Sequence, residues 1–341
     1  MKVIKNKNMN KLEDFFFNSI IIEEKNGKFS QNIKKKKNSE LPAGDLLIKV
    51  QYSSLNYKDA LSFSGNKGVT KYYPHTPGID AMGIIESSRT EKFKPGDKVL
   101  VTGFDLGMNT PGGFGEYISV SKDWATFLPD DLRPRDSMVL GTAGITAGLC
   151  VNSLQDKHTI KDQKAIVTGA TGGVGCIAIK LLAKLGANVT AITGKEDSKE
   201  FLYSIGSNEV ILRNEFLESV RKPMGKGRWD IAVDVVGGEI LSGLIASMSY
   251  GGTITCCGLV ASPEFDTTVF PFILRGISLI GIDSGEAPIH EKTKIWEKFA
   301  VEWKLDNLDS LHRVVDMEDM MNEIKKILNG KQVGRIVLKH N

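Results

Sequence analysis

A glycine-containing turn between a predicted strand and a predicted helix carries the clearest chemistry in this sequence. Residues 165–175 read Ala-Ile-Val-Thr-Gly-Ala-Thr-Gly-Gly-Val-Gly, and the apolar segment Ile177–Leu185 follows them. A strand, a tight turn and a helix N-terminus together present free backbone N–H groups and the positive end of the helix dipole to a pyrophosphate. The spelling is Ala-x-Gly-x-x-Gly at Ala170, Gly172 and Gly175, one glycine short of the usual fingerprint. Alone it is a weak indication of a dinucleotide site, since glycine turns are common.

The end of the next predicted strand, Asn188–Ile192, bears on the choice between the two nicotinamide cofactors. About 20 residues after the glycines, NAD enzymes usually carry Asp or Glu to hold the ribose 2′-hydroxyl. This sequence has Thr193, Gly194 and Lys195 there, and no acid before Glu196. A carboxylate repels a 2′-phosphate, whereas Thr193 and Lys195 donate to one. We therefore expect NADPH (NADP) rather than NADH, the alternative being that Lys195 is only a solvated turn residue.

Composition and charge exclude several classes of protein. The chain has 341 residues, 41% of them hydrophobic and 25% charged, with a net charge of +3. It is long enough for two domains, and its small, dispersed charge predicts no nucleic-acid partner. The one dense basic run, Lys34–Lys37, is expected in an exposed loop between two early strands, with attraction of a polyanionic substrate as the alternative.

Cysteine spacing and hydropathy argue against a metal site, a disulfide scaffold and a membrane protein. The four cysteines form no Cys-x-x-Cys pair and stand near no histidine cluster, so we expect buried free thiols and no metal. No stretch is expected to reach the length of a membrane span. The apolar run Phe15–Ile22 is short and lacks a following cleavage site, which predicts a strand and hairpin in a cytoplasmic protein with no membrane partner.

The pattern of predicted secondary structure changes near residue 137. Residues 15–135 are rich in turns and short strands, which suggests a compact β-barrel-like domain. Beyond them strands alternate with helical stretches, which predicts a parallel sheet. The candidate parallel strands are Ile166–Thr168, Val189–Ile192, Glu209–Leu212, Ile231–Val235, Thr253–Cys257 and Ser278–Ile282. A helix over Met317–Leu328 and a strand over Gly334–Leu338 are expected in the tail.

Several motifs in one order resemble a known family. They are Ser53–Leu61, Pro77–Asp80, Gly141–Ala147, the glycine turn, Thr193–Lys195 and Pro271–Arg275. With these motifs the chain resembles the zinc-free branch of the medium-chain dehydrogenase/reductase family. Within that branch it is most similar to the acrylyl-CoA reductase (YhdH/AcuI-type) quinone oxidoreductases, over nearly the whole chain beyond the first dozen residues.

The resemblance implies an α/β fold: a Rossmann doubly wound parallel sheet plus a GroES-like β-barrel catalytic domain. The implied division is a GroES-like catalytic domain at 1–136, an NADP-binding Rossmann domain at 137–285, and a return to the catalytic domain at 286–341. Zinc-bearing relatives carry a ligand cysteine near Asn56 and Gly-His-Glu where this chain has Gly78-Ile79-Asp80. Their four-cysteine lobe is also missing. We therefore expect no metal, and we expect Asn56 and Asp80 to form a hydrogen-bond network.

The resemblance also implies which residues contact the cofactor. They are Tyr57, Thr171, Gly172, Gly173, Val174, Thr193, Gly194, Lys195, Arg213, Leu259, Ile273 and Ser284. For Arg213 an ordinary surface arginine is an equal alternative, and for Ile273 the alternative is core packing. Tyr57 is also the one candidate catalytic residue. Cofactor contact ranks first for it, polarisation of the substrate carbonyl second and packing third, and no general acid is identified.

The implied activity is zinc-independent, NADPH-dependent reduction of the conjugated C=C of a small α,β-unsaturated acyl-CoA or a related enone, as in acryloyl-CoA to propanoyl-CoA. An NADPH:quinone oxidoreductase and a non-catalytic NADPH-binding protein are the alternatives. An acyl-CoA enzyme needs cations at the mouth of its cleft, and the candidates are Lys67, Lys71 and Arg275. The apolar segment Thr267–Leu274 is expected at a sheet edge, which predicts a homodimer.

Overall fold

Residues 13–221 and 224–341 are described by a computed structural model, in which short strands dominate the N-terminal part. Residues 1–12 of the predicted catalytic domain lie outside the described part. The strands are β1 (Phe16–Lys25), β2 (Lys28–Lys37), β3 (Leu46–Ser54), β4 (Asp80–Ser88), β5 (Lys98–Thr102), β6 (Tyr117–Val120) and β7 (Ala125–Phe127). The helices that follow β3 and β7 are α1 (Tyr57–Phe63) and α2 (Pro134–Gln155).

Strands and helices alternate through the middle of the chain. The strands are β8 (Lys164–Val167), β9 (Asn188–Thr193), β10 (Glu209–Leu212), β11 (Trp229–Asp234), β12 (Met248–Cys256) and β13 (Ser278–Gly281). The helices between them are α3 (Gly173–Lys184), α4 (Lys199–Ser204), α5 (Arg213–Ser219), α6 (Gly238–Ser247) and α7 (Phe270–Arg275). All six strands run parallel in the order β10-β9-β8-β11-β12-β13. The predicted doubly wound parallel sheet is therefore confirmed.

The tail returns to the first part of the chain. It contains α8 (Ile289–Ala300), β14 (His312–Val315), α9 (Met317–Leu328) and β15 (Arg335–Lys339). Short 3₁₀ turns occupy Asn38–Glu40, Lys122–Trp124, Glu196–Ser198 and Leu308–Leu311. Strand β15 pairs antiparallel with β3, with Val337 opposite Ser54, and completes a sheet of order β14-β15-β3-β4-β5-β7 in which β6 also pairs with β3. Strand β15, near the end of the sequence, thus lies beside the start of the motif Ser53–Leu61.

Alternation of side chains along the strands builds the cores on which the site rests. On the parallel sheet, Ala165 and Val167 face a core shared with α2, α3 and α8. Ile166 between them faces the opposite core, formed with α5 and α6. Because both faces are covered, apolar side chains of these strands face both cores, as in parallel strands of such folds. The N-terminal sheet encloses a smaller core of its own around Ile48 and Val99.

The basic run differs from expectation. Lys34–Lys37 lies within strand β2 and not in a loop between strands, so that prediction is wrong. Strand β2 pairs only with β1 among the described residues, and Lys34 forms an ion pair with Glu23 across the hairpin. Lysines on an edge strand discourage pairing with other chains. The predicted strand and hairpin that begin near Phe15 are confirmed.

Helix α2 corrects a second expectation. Its 22 residues are long and apolar enough to cross a membrane, contrary to the prediction that no stretch has that length. However, 78% of its apolar window is buried inside the protein, as in the core helix of a folded domain. The helix is kinked at Gly141, whose φ is +53°. That kink brings the backbone of α2 against Asp80 of β4.

Candidate functional site: a glycine turn above a buried polar network

The glycine turn joins β8 to α3 as the sequence predicts. Gly169 adopts a φ of +56°, which favours glycine, and the first turn of α3 begins at Gly173. A Cβ at Gly175 would overlap the carbonyl oxygen of Gly169, so this glycine serves the close approach of helix and turn. The first N–H groups of α3 have no partner within the helix and point out of the turn. The turn therefore has the geometry of an anion site.

Glycine is required at position 173 by the close approach of another side chain, and not only by access of a phosphate to the turn. A Cβ there would stand 2.8 Å from Nη1 of Arg335 and 3.3 Å from the side chain of Ala143. Arg335 is the first residue of β15 and is buried. The tail of the chain therefore passes directly beneath the glycine turn, and the absence of a side chain at Gly173 makes that approach possible.

Two cations meet at the ends of β9 and β10. The Nζ of Lys195 donates to Oγ1 of Thr171, at 3.1 Å, and to the carbonyl oxygen of Gln332. A Cβ at Gly194 would stand 2.6 Å from Nη2 of Arg213, so the guanidinium lies against this glycine. Burial lowers the pKa of Lys195, and the charge of Arg213 lowers it further. Within residues 13–221 and 224–341 no carboxylate lies within ion-pair distance of either cation.

A hydrogen bond fixes the backbone turn that carries Lys195. Thr193 accepts a hydrogen bond from the N–H of Lys195 through its Oγ1 at 3.0 Å, which fixes the turn after β9. Two adjacent cations without an acid suit a doubly charged phosphate, since the anion relieves their repulsion. The structure therefore brings Thr171, Thr193, Gly194, Lys195 and Arg213 together, and these residues fit the 2′-phosphate of NADPH.

Gln332 belongs to this site, although no motif in the sequence indicated it. Its side chain is only 8% exposed, and its Oε1 has no partner among the described residues. Two residues later the N–H of Gly334 donates to the carbonyl oxygen of Thr171 at 3.0 Å. Residues 332–334 therefore close one side of the turn. No local motif marks Gln332, because it reaches the site only through the pairing of β15 with β3.

Below the turn lies a buried polar network centred on Asp80. Its Oδ2 accepts from Oγ of Ser54 at 2.5 Å and from Nδ2 of Asn56 at 2.7 Å. Its Oδ1 accepts from Oγ1 of Thr142 at 2.6 Å, and both oxygens accept from the N–H of Thr142. The expected hydrogen-bond network of Asn56 and Asp80 is confirmed. Thr142, from the kinked helix α2, is an additional member that the sequence analysis missed.

Arg335 supplies the positive charge of this network. Its guanidinium donates to the carbonyl oxygen of Val139 at 2.9 Å, that of Leu55 at 3.0 Å and Oγ of Ser54 at 3.0 Å. Burial lowers its pKa, and Asp80 opposes that shift. Because its partners lie at residues 54–55, at the end of β3, and at Val139 of α2, this one side chain of β15 joins three segments that are distant in sequence.

Asp59 is a second buried carboxyl group beside Asp80. It accepts from the N–H groups of Asn56 at 2.7 Å, Ile79 at 2.8 Å and Gly78 at 3.1 Å. Burial, and then the charge of Asp80, raise the pKa of Asp59 to about 7, while the three N–H donors oppose the shift. Asp59 therefore fixes the backbone of residues 78–79 beside the start of α1. Among the described residues no group of three or more His, Cys, Asp and Glu side chains is arranged to hold a metal ion.

The remaining predicted residues differ in their exposure and contacts. Tyr57 is 40% exposed and opens α1 directly after the buried Asn56. Oγ of Ser284 lies 2.6 Å from Oγ1 of Thr146 on α2. Leu259, just beyond β12, is 63% exposed. Ile273, on α7, is 72% exposed, so the core-packing alternative for it is wrong.

Comparisons with known proteins cover both parts of the chain. A model of the alcohol dehydrogenase GroES-like domain matches residues 42–130, and one of the zinc-binding dehydrogenase family matches residues 173–303. Acrylyl-CoA reductase AcuI of Ruegeria pomeroyi is 38% identical over 328 residues, which cover 95% of this chain and 99% of that protein. Putative quinone oxidoreductase YhfP of Bacillus subtilis is 39% identical over 312 residues, covering 91% and 94%.

Solved structures agree with this chain over nearly its whole length. The yhdH oxidoreductase of Salmonella enterica in complex with NADP has a TM-score of 0.91 at 37% identity, covering 95% of this chain and 100% of that one. Bacillus subtilis yhfP with NAD bound has a TM-score of 0.92 at 38% identity, covering 96% and 100%. The two structures thus share one fold and differ in the bound nicotinamide cofactor.

We predict that Gly141→Ala disrupts the network without touching the phosphate-facing cations. The new Cβ would stand 2.5 Å from Oδ2 of Asp80 and 2.5 Å from Oγ of Ser54, at a backbone φ of +53°. We expect a loss of about 2–4 kcal/mol in the free energy of unfolding, measured by chemical denaturation. Gly281→Ala is the matched control, because a Cβ there meets nothing within 4 Å. Equal stabilities of the two variants would contradict the prediction.

Proposed function

Since the chain belongs to the zinc-free branch of the medium-chain dehydrogenase/reductase family, we propose that it reduces the conjugated C=C of a small α,β-unsaturated acyl-CoA or a related enone with NADPH. Acryloyl-CoA, giving propanoyl-CoA, is the substrate that we propose first, because AcuI is among its relatives. The observation that carries the proposal is the pair of cations without an acid, Lys195 and Arg213, beside the glycine turn. The enzyme is an oxidoreductase with no metal in its mechanism.

The proposed cofactor contacts follow from this geometry. The pyrophosphate lies on the first turn of α3 at Thr171–Val174, and the 2′-phosphate lies between Lys195 and Arg213. Leu259, Ile273 and Ser284 are proposed to form the nicotinamide wall. When bound, NADPH supplies the hydride that the reduction needs.

The protein's own contribution to the reaction is to hold the substrate and to stabilise negative charge. Tyr57 is partly exposed and directly follows Asn56 of the network. We propose that its phenol contacts the cofactor and reaches a substrate carbonyl. Donation of its O–H to that carbonyl stabilises the enolate formed as the β-carbon is reduced. The network of Asp80 and Arg335 does not act as a Lewis acid, because its polar atoms are hydrogen-bonded to one another. Its role is to support the residues around the proposed site. Solvent then protonates the α-carbon.

Quinone reduction is the second candidate, and one observation favours it. Of the cations predicted to meet CoA phosphates, Lys67 forms an ion pair with Glu24. Arg275 donates to backbone carbonyls, among them those of Ala246 and Met248. Only Lys71 of the three remains available, and the relative YhfP is named as a putative quinone oxidoreductase. A non-catalytic NADPH-binding protein is the third candidate.

Steady-state oxidation of NADPH, with NADH alongside, against acryloyl-CoA, crotonyl-CoA and a quinone tests these candidates. We expect turnover with NADPH, and a kcat/KM at least about tenfold higher for acryloyl-CoA than for the quinone, since tenfold is about 1.4 kcal/mol of differential transition-state binding. A preference for the quinone would move the second candidate to first place. Tight NADPH binding without turnover of any substrate would favour the third.

The 2′-phosphate site is tested by Lys195→Glu. Loss of a charge-assisted hydrogen bond costs about 1.5–3 kcal/mol, with repulsion added, so the KM for NADPH should rise at least about tenfold. The KM for NADH should change little, because NADH has no 2′-phosphate. Lys184→Glu makes the same charge change at an exposed position at the end of α3 and is the control. An unchanged NADPH affinity in Lys195→Glu would overturn the assignment of this site.

A homodimer is proposed from the edge of the parallel sheet. Strand β13 is the last strand of that sheet, and only β12 pairs with it among the described residues. The preceding segment exposes Val269, Phe270 and Leu274 by more than half. An uncovered edge beside exposed apolar side chains favours pairing with a second copy. Light scattering should give about twice the chain mass of 37.4 kDa, and a mass near 37.4 kDa would contradict the dimer.

Two further expectations remain proposals. A cytoplasmic location is supported by four cysteines that are all free, since reducing compartments keep thiols unpaired. The division into 1–136, 137–285 and 286–341 is supported by the return of β15 to the N-terminal sheet.

A further inference from the structure

Lys292 is a charged side chain buried between the two parts of the molecule. It lies on α8 and is only 1% exposed. Its Nζ donates to the carbonyl oxygen of Thr102, at the end of β5, and to that of Gly285, each at 2.7 Å. The same Nζ stands 3.5 Å from the centroid of the Phe104 ring. Its hydrogen bonds and its aromatic contact therefore all go to two short segments, 102–104 and 285.

The loop that receives this ammonium group is the one that carries Ser284. Within it, Oδ1 of Asp283 accepts from the N–H groups of Gly285 at 2.9 Å and Glu286 at 3.3 Å. The carbonyl oxygen of Gly285 also accepts from the N–H of Phe104 at 3.0 Å. The loop is therefore folded on itself. Besides the contact of Ser284 with Thr146 of α2, it is held from outside at the carbonyl group of Gly285, where Lys292 and Phe104 meet.

We propose that Lys292 is a positioning residue that fixes residues 283–286 against the turn after β5, and so sets the width of the cleft at the proposed nicotinamide wall. The inference rests on the proposed function for the role of Ser284, but the fixing of the loop is a property of the protein alone. Without the ammonium group, the carbonyl oxygen of Gly285 keeps only the N–H of Phe104. The loop then loses its connection to α8.

The burial of Lys292 makes its contribution to stability depend on pH. Burial lowers the pKa of Lys292 to about 8, although Glu286, Asp80 and Asp283 favour its charged form; Lys58 opposes it. A pKa below that of the unfolded chain means that the unfolded state binds more protons between about pH 8 and 10.5. The free energy of unfolding therefore rises with pH through that window, while the ammonium group that contacts Gly285 and Thr102 is lost from the folded protein.

Lys292→Met tests the inference, since methionine is of similar length and has no charge. Hydrogen exchange of the cofactor-free protein gives a readout independent of activity. We expect exchange in the peptide spanning 283–286 to quicken at least about tenfold in Lys292→Met at pH 7. Lys294→Met, an exposed lysine on the same helix, is the control and should match the wild type. Unchanged exchange in a folded Lys292→Met protein would overturn the inference.

Kinetics provide a second readout. In the wild type and in Lys294→Met, the kcat/KM for NADPH should fall as the pH rises through about 8, when Lys292 loses its charge. In Lys292→Met that decline should be missing, and the value at pH 7 should be at least about tenfold lower, because small displacements of a positioning group are costly. Persistence of the decline in Lys292→Met would contradict the role of this lysine.

Phe104→Leu keeps the inference testable if Lys292→Met does not fold. Removing the aromatic face leaves the lysine in place and takes away a contact that favours its charge. The decline in kcat/KM should then move down by about one pH unit. An unmoved decline would count against Lys292 as its source. A wild type that oxidises no NADPH would instead refute the proposed function and leave the exchange experiment to decide the inference.

Discussion

The burial of Arg335 beside Asp80 is the interaction on which the rest of the structure depends. Neither charge has access to bulk water, so each must be satisfied by the protein. Asp80 of β4 and Arg335 of β15 find their partners on β3, on α2 and at residues 55–56. A buried charge without compensation costs several kcal/mol. The chain therefore has to bring its last strand back to its first domain and bend α2 at Gly141 before the fold is complete.

The proposed cofactor site and the position of Tyr57 both depend on this arrangement. Gly173 lacks a side chain where Arg335 passes under the glycine turn, and residues 332–334, just before β15, close the turn and receive Lys195. On the other side, Asn56 enters the network while the next residue, Tyr57, is partly exposed. Asn56 and Asp80, which the family resemblance compares with metal-site positions, thus form a structural network here. Reduction of an activated double bond is compatible with that, because the substrate is already electrophilic.

Much of this could be predicted from the sequence, and the remainder could not for identifiable reasons. Local patterns predicted helix α9 to the residue, the glycine turn and the six parallel strands, because periodicity and turn chemistry are local. The run Lys34–Lys37 was misplaced because lysines on an edge strand and in a loop look alike. The motifs did not assign roles to Thr142, Arg335 and Lys292, whose partners Asp80, Ser54 and Thr102 are 62 to 281 residues away. Only the assembled sheets bring those pairs together.

The central claim is that Arg335 holds the two ends of the chain together, and equilibrium unfolding of Arg335→Met tests it most directly. Arg313→Met on the neighbouring strand β14 is the reference, since Arg313 is an exposed arginine paired with Glu323 at 2.7 Å. The account predicts that Arg335→Met lowers the free energy of unfolding by about 3–5 kcal/mol, while Arg313→Met lowers it by about 1 kcal/mol or less. Equal losses in the two variants would contradict it.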